Sequence, residues 1–115
     1  MAGAGKKGRI FRAETVRAGI PGPDGERHAV CLRHGSWTLE LYEPEQEDRQ
    51  QPHAQDECYV ILEGSGVFAM GDERQRFAPG DMIFVPAGLP HRFEAFGERV
   101  RAWVVFAGPQ GGESA

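Results

Sequence analysis

Glycine and proline interrupt this chain too often for a helical fold. Its 115 residues include 16 Gly and 8 Pro, roughly one residue in five, where globular chains carry roughly one in eight. Each costs a helix interior about 1–3 kcal/mol, so a helical bundle is excluded. The interruptions have no collagen-like period. Hydrophobic residues make up 40% of the chain and aromatics 10%, which argues against disorder away from the ends. Short strands joined by frequent turns remain, enough for one domain with one core.

The punctuation divides the chain into elements. Residues 1–8 read as a flexible tail, 9–18 (RIFRAETVRA) as a first short strand or arm, and Ile20–Gly25 (IPGPDG) as a turn cluster. Strands are expected over 29–33, 36–43, 57–63, 67–70, 75–77, 81–85, 91–96 and 99–107, with a frayed tail over 108–115. Nine or ten short strands in a single domain over 9–107 indicate an all-β sandwich or barrel. On 36–43, Trp37, Leu39 and Leu41 share one face and Thr38, Glu40 and Tyr42 the other. On 57–63 both faces are largely apolar, so both are expected to be covered. One cover is the barrel interior; the other is expected from a second subunit, giving a homodimer, with an N-terminal strand of the same chain as the alternative.

Charge narrows the partners. Thirteen Lys and Arg against 17 Asp and Glu leave a formal charge of −4. A concentrated basic surface is missing, so nucleic acid and anionic membranes are not expected as partners. No apolar run approaches the roughly 20 residues of a membrane helix. Residues 1–9 lack the apolar stretch of a secretory signal. Two cysteines, Cys31 and Cys58, are too few for a disulfide scaffold. A reducing, cytoplasmic setting is the simplest expectation.

Two segments carry the chemistry. The first is Gln51-Pro-His53-Ala-Gln-Asp-Glu57, which runs on to Gly64. The second runs from Gly80 through Pro86 and Gly88 to His91. Two imidazoles and a carboxylate are the ligand set of many first-row metal sites. Gln51 adds an amide oxygen two residues before His53, on the same face if the chain is extended there. Gly80 and Gly88 permit tight turns, and Pro86 and Pro90 brace the loop that presents His91.

These segments resemble the two signature motifs of the cupin superfamily, G-x5-H-x-H-x3,4-E-x6-G and G-x5-P-x-G-x2-H-x3-N. His53, Glu57 and Gly64 match the first motif in spacing, and Gly80, Pro86, Gly88 and His91 match the second. Gln51 stands where the family has the first histidine of its pair. Ala95 stands in place of the closing asparagine and Glu45 in place of the leading glycine. The resemblance implies a small antiparallel β-barrel, a double-stranded β-helix or jelly roll. It also implies a divalent ion (Fe, Mn, Zn or Ni) held by His53, Glu57, His91 and Gln51.

The remaining residues have simpler expectations. Tyr59 and Phe93, two residues beyond Glu57 and His91, should share the ligands' face and either line a pocket or fill the core. Cys58 points away from Glu57 and reads as a packing residue. Arg101 is expected on the surface, His28 and His34 at turns without a site role, and the Glu/Gln run at 43–51 as a solvated loop at the barrel mouth. Two functions fit. One is a metal-dependent enzyme acting on a small molecule, of dioxygenase, isomerase or lyase type. The other is a non-catalytic small-molecule binding or sensory barrel in which metal is structural or absent.

Overall fold

The computed structural model describes residues 5–45, 48 and 52–114. Eight strands form among them: β1 His28–His34, β2 Trp37–Tyr42, β3 Asp56–Glu63, β4 Gly66–Met70, β5 Glu73–Phe77, β6 Met82–Val85, β7 His91–Glu94 and β8 Arg101–Ala107. They build a five-stranded sheet in the order β1-β2-β8-β3-β6 and a three-stranded sheet in the order β5-β4-β7. Every pairing is antiparallel. The last strand inserts between β2 and β3, and this long-range step closes the expected all-β roll.

Residues 9–18 do not form the expected strand. Ala13–Val16 is a short α-helix, α1, continued by a 3-10 turn over Arg17–Gly19. Ala, Glu and Arg are good helix formers, and Glu14 sits in the first turn, where a carboxylate is favoured. The residues after β8, expected to fray, carry hydrogen bonds. Gly111 N donates to the Ala54 carbonyl at 2.6 Å, and Glu113 N donates to the Asp56 carboxylate at 2.9 Å.

The two sheets pack through an aromatic core. Tyr59 and Ile61 of β3, Phe68 of β4, Phe77 of β5, Phe93 of β7 and Val104 of β8 are all buried in it. Phe93 meets Tyr59, Phe68 and Phe77 edge-on, at centroid distances of 5.2, 4.8 and 5.2 Å, the arrangement that aromatic quadrupoles favour. Truncating such a ring to alanine costs about 3–5 kcal/mol.

Alternation then sorts each strand of the large sheet. Glu57, Tyr59 and Ile61 face inward, while Cys58 and Val60 face outward and are half-buried. On β2 the polar residues Thr38, Glu40 and Tyr42 are the inward set, with Leu39 and Leu41 behind them. Register aligns the inward residues into rows across the sheet. One row is Arg33–Thr38–Phe106–Glu57 and the next is Val30–Glu40–Val104–Tyr59.

Arg101 departs from expectation, being only 7% exposed. It lies on the outward face of β8, where the N-terminal segment covers it. Its guanidinium is 2.9 Å from Glu14 of α1 and 3.4 Å from the buried Glu43. Arg17 approaches the same Glu43 carboxylate at 3.2 Å. The network fastens residues 14–17 to the barrel wall.

Candidate metal centre

Three ligands converge where the motifs meet. His53 lies just before β3, Glu57 on β3 and His91 at the start of β7. One donor atom from each comes within 4.8 Å of the others. His53 Nδ1 is 3.1 Å from Glu57 Oε1, and His91 Nε2 is 2.7 Å from the same oxygen. Backbone bonds lock the two segments together: Gly88 N donates to the His53 carbonyl at 2.8 Å, and Ala87 N to the Asp56 carboxylate at 2.9 Å. The Gly88 turn, at φ +81, thereby brings the loop ahead of His91 against the strand that carries Glu57.

The imidazole of His91 is oriented for ligation. Its Nδ1 is 2.8 Å from the Leu89 carbonyl, which can only accept, so Nδ1 carries the hydrogen and donates. That leaves Nε2 facing Glu57, where it can take either a proton or an ion. The short Nε2 contact to Glu57 is not aligned as a hydrogen bond. His91 Nε2 and Glu57 Oε2 are buried polar atoms without a hydrogen-bond partner. Two buried polar atoms left without partners in one cluster are costly, and a cation held by the cluster would satisfy both. The donor set, two imidazoles and a carboxylate, suits zinc, iron, manganese or nickel.

Electrostatics agree with that placement. Burial works against the Glu57 charge, but the two imidazoles beside it outweigh burial and hold its carboxyl below the usual range. For His91 burial works against the imidazolium, yet Glu57 and the Leu89 carbonyl outweigh it and raise its affinity for a proton. The cluster therefore stabilises positive charge at its centre, which a proton supplies in the absence of an ion.

Of the other expected site residues, Gln51 lies outside the described residues, as does most of the 43–51 run. Tyr59 and Phe93 sit on the ligands' side of their strands, but at 0% and 2% exposure they fill the core and line no open pocket. The Tyr59 ring packs 6.1 Å from His91 and backs the site. The open space is a cleft of about 960 Å³ in front of His53. His28, Val30, Arg33, Thr38, Glu40, Tyr42 and Phe106 are among its walls. His53 packs 4.7 Å from Phe106 and joins the cleft to the ligand cluster.

Four residues of the neighbourhood carried no motif. Asp48 accepts a hydrogen bond from the Tyr42 hydroxyl and another from Phe93 N at 2.7 Å, tying the mouth to β7. Glu40 is mostly buried, with His28 at 4.0 Å. The polar face of β2 was the available signal for Glu40 and Tyr42. His28 had none.

A two-sheet antiparallel roll with a His-Glu-His cluster in its core defines a β-barrel with a candidate metal site. The chain belongs to the cupin family: residues 38–106 match the model of the cupin domain. An uncharacterized protein of Streptomyces coelicolor is 34% identical over 104 residues, covering 89% of this chain and 98% of that one. An acireductone dioxygenase of Rhodopseudomonas palustris is 40% identical over 68 residues, 48% of this chain and 41% of that protein. The chain thus spans under half the length of that dioxygenase. A cupin superfamily protein of Desulfitobacterium hafniense has the same fold, with a TM-score of 0.61 at 21% identity, over 70% of this chain and 74% of that one.

Proposed function

We propose that this cupin is a metal-dependent enzyme of the dioxygenase type acting on a small molecule. The observation that carries the reading is the convergence of His53, Glu57 and His91, with buried donor atoms left unpaired. The partial likeness to acireductone dioxygenase favours oxygen chemistry over isomerase or lyase chemistry. A divalent ion held by these residues would supply Lewis acidity and, as iron, redox chemistry with dioxygen.

The chain's own residues do the rest. The Leu89 carbonyl fixes the His91 ring, and Tyr59 and Phe106 wall the ligands with apolar surface. That wall limits water around the cluster and strengthens charge interactions there. His53, half-exposed, marks the side from which a substrate arrives through the cleft. Glu40 places a carboxyl on the cleft wall, able to exchange a proton with a bound hydroxyl.

The test is elemental analysis of protein purified without added metal, followed by oxygen uptake by the iron-loaded protein across diols and thiols. A near-stoichiometric ion and substrate-dependent oxygen uptake are expected. Failure to take up Fe, Mn, Zn, Ni or Cu sinks the metal reading. Metal retention with reversible ligand binding and no oxygen uptake turns the protein into a binding barrel.

The homodimer belongs to the same proposal. Outward Cys58 and Val60 continue onto Met82 and Phe84 of the edge strand β6, which are 69% and 61% exposed. That apolar face is the second side of β3 which the sequence expects to be covered.

A further inference from the structure

The cleft in front of His53 carries more polar groups than the metal reading uses, and most are already engaged. Arg27 donates to the Glu43 carbonyl at 2.9 Å and lies 3.5 Å from Glu45. Gln55 donates to the Ser36 and Gly108 carbonyls. Tyr42 is held by Asp48. His28 faces Glu40. Among the described residues lining the cleft, Arg33 is the arginine whose side chain has no ion pair or hydrogen bond; it is exposed and acts on Glu40 only through its charge.

The backbone places Arg33 on this wall deliberately. A register shift between Val30 and Leu32 inserts one extra residue in β1. Without it, Val30 and Arg33 would point to opposite faces. With it, both line the cleft. Arg33 then stands in one cross-strand row with Thr38, Phe106 and the ligand Glu57. Three strand spacings separate the ends of that row, about 14 Å of backbone. Arg33 and the cluster's His53 both border the cleft, and a molecule of a few carbons is the size that would span such a row.

We propose that the cleft takes a short organic acid, its carboxylate on Arg33 and its other end at the His53–Glu57–His91 cluster. The placement of that far end rests on the metal reading; recognition of the carboxylate does not. A lone guanidinium matches one carboxylate through its two parallel N–H groups, whereas a dianionic phosphate calls for more positive charge than this wall has free. Of the two acids nearby, Glu45 is neutralised by Arg27. Burial pushes the Glu40 carboxyl up, against the opposing pull of the His28, His53 and Arg33 charges. Thr38 adds a hydroxyl midway along the row, and Val30 and Phe106 offer apolar contact to the carbon chain.

The experiment is isothermal titration with malonate, succinate and glutarate, against propanediol and butanediol as uncharged partners of similar length. It is run on the metal-free and the zinc-loaded protein, zinc being redox-silent. One of the acids should bind at least about tenfold tighter than its diol, and Arg33→Gln should remove that preference. Arg92→Gln, on the exposed face of β7, should leave it intact. In the metal-free protein binding should weaken yet still depend on Arg33. If the protein takes up no zinc, the proposed function fails, and the metal-free titration alone decides the carboxylate site. Acids that bind no better than diols, or an Arg33→Gln variant that binds like the parent, overturn the proposal.

Discussion

At the residue scale the chemistry turns on who holds the proton. His91 keeps its proton to higher pH than a free imidazole because Glu57 and the Leu89 carbonyl outweigh its burial. An ion must displace that proton. Zinc affinity should therefore fall on acidification from about pH 8 to about pH 6, by up to about tenfold per unit for each proton displaced. Titration with a competing chelator measures it, and a flat profile would falsify the assignment of His91. His91→Ala should lose the ion while circular dichroism keeps its β signature. Cys58 supplies a second titration. Burial penalises its thiolate and raises its pKa, with the nearby Glu57 charge adding to the effect. Alkylation of folded protein at neutral pH should be slow and should accelerate only above the ordinary thiol range. Labelling as fast as a free thiol would place Cys58 elsewhere. The cluster of His53, Glu57 and His91 was legible in the sequence because each lies in a contiguous motif. Arg101 was not: alternation places it on a face, but only the chain folded over that face decides its burial.

At the element scale, two turns carry most of the geometry. Gly64 closes the first motif at φ +95, and a Cβ there would lie 2.2 Å from the Arg99 carbonyl oxygen. Gly64→Ala should cost about 2–4 kcal/mol, through strain and through displaced backbone. Ala95, which replaces the asparagine of the second motif, adopts φ +46. Asn tolerates this left-handed region better than Ala. Ala95→Asn should therefore stabilise the fold by about 0.5–1 kcal/mol. Urea denaturation of both variants tests the pair, and a destabilised Ala95→Asn contradicts the account of that turn. The strands of the two motifs were readable from alternation and punctuation. The first element was misjudged because its apolar residues, too few to define a period, fit an arm as well as a short helix.

At the scale of the whole molecule, the N-terminal segment bears on stability and the outer sheet face on the proposed dimer. Arg101→Ala leaves the buried Glu43 with only Arg17 beside it. Removing one partner of a buried pair costs about 3–5 kcal/mol, and the melting temperature should drop accordingly. A change below about 1 kcal/mol would show that the network is surface-like. Phe84→Glu places a charge on the apolar outer face and should shift the protein from dimer to monomer in light scattering. An unchanged mass removes this face as the subunit contact.

The sequence by itself determined the class of fold and picked out the candidate ligands. Glycine and proline exclude helices locally, and the motif spacings are short enough for neighbouring residues to share a strand or a loop. The tertiary structure alone decided the cleft. Insertion of β8 between β2 and β3 carries Phe106 between Thr38 and Glu57. The extra residue in β1 turns Arg33 inward. The folding of α1 over β8 buries Arg101. Each depends on pairing between segments far apart in the chain, where register is set by the whole sheet.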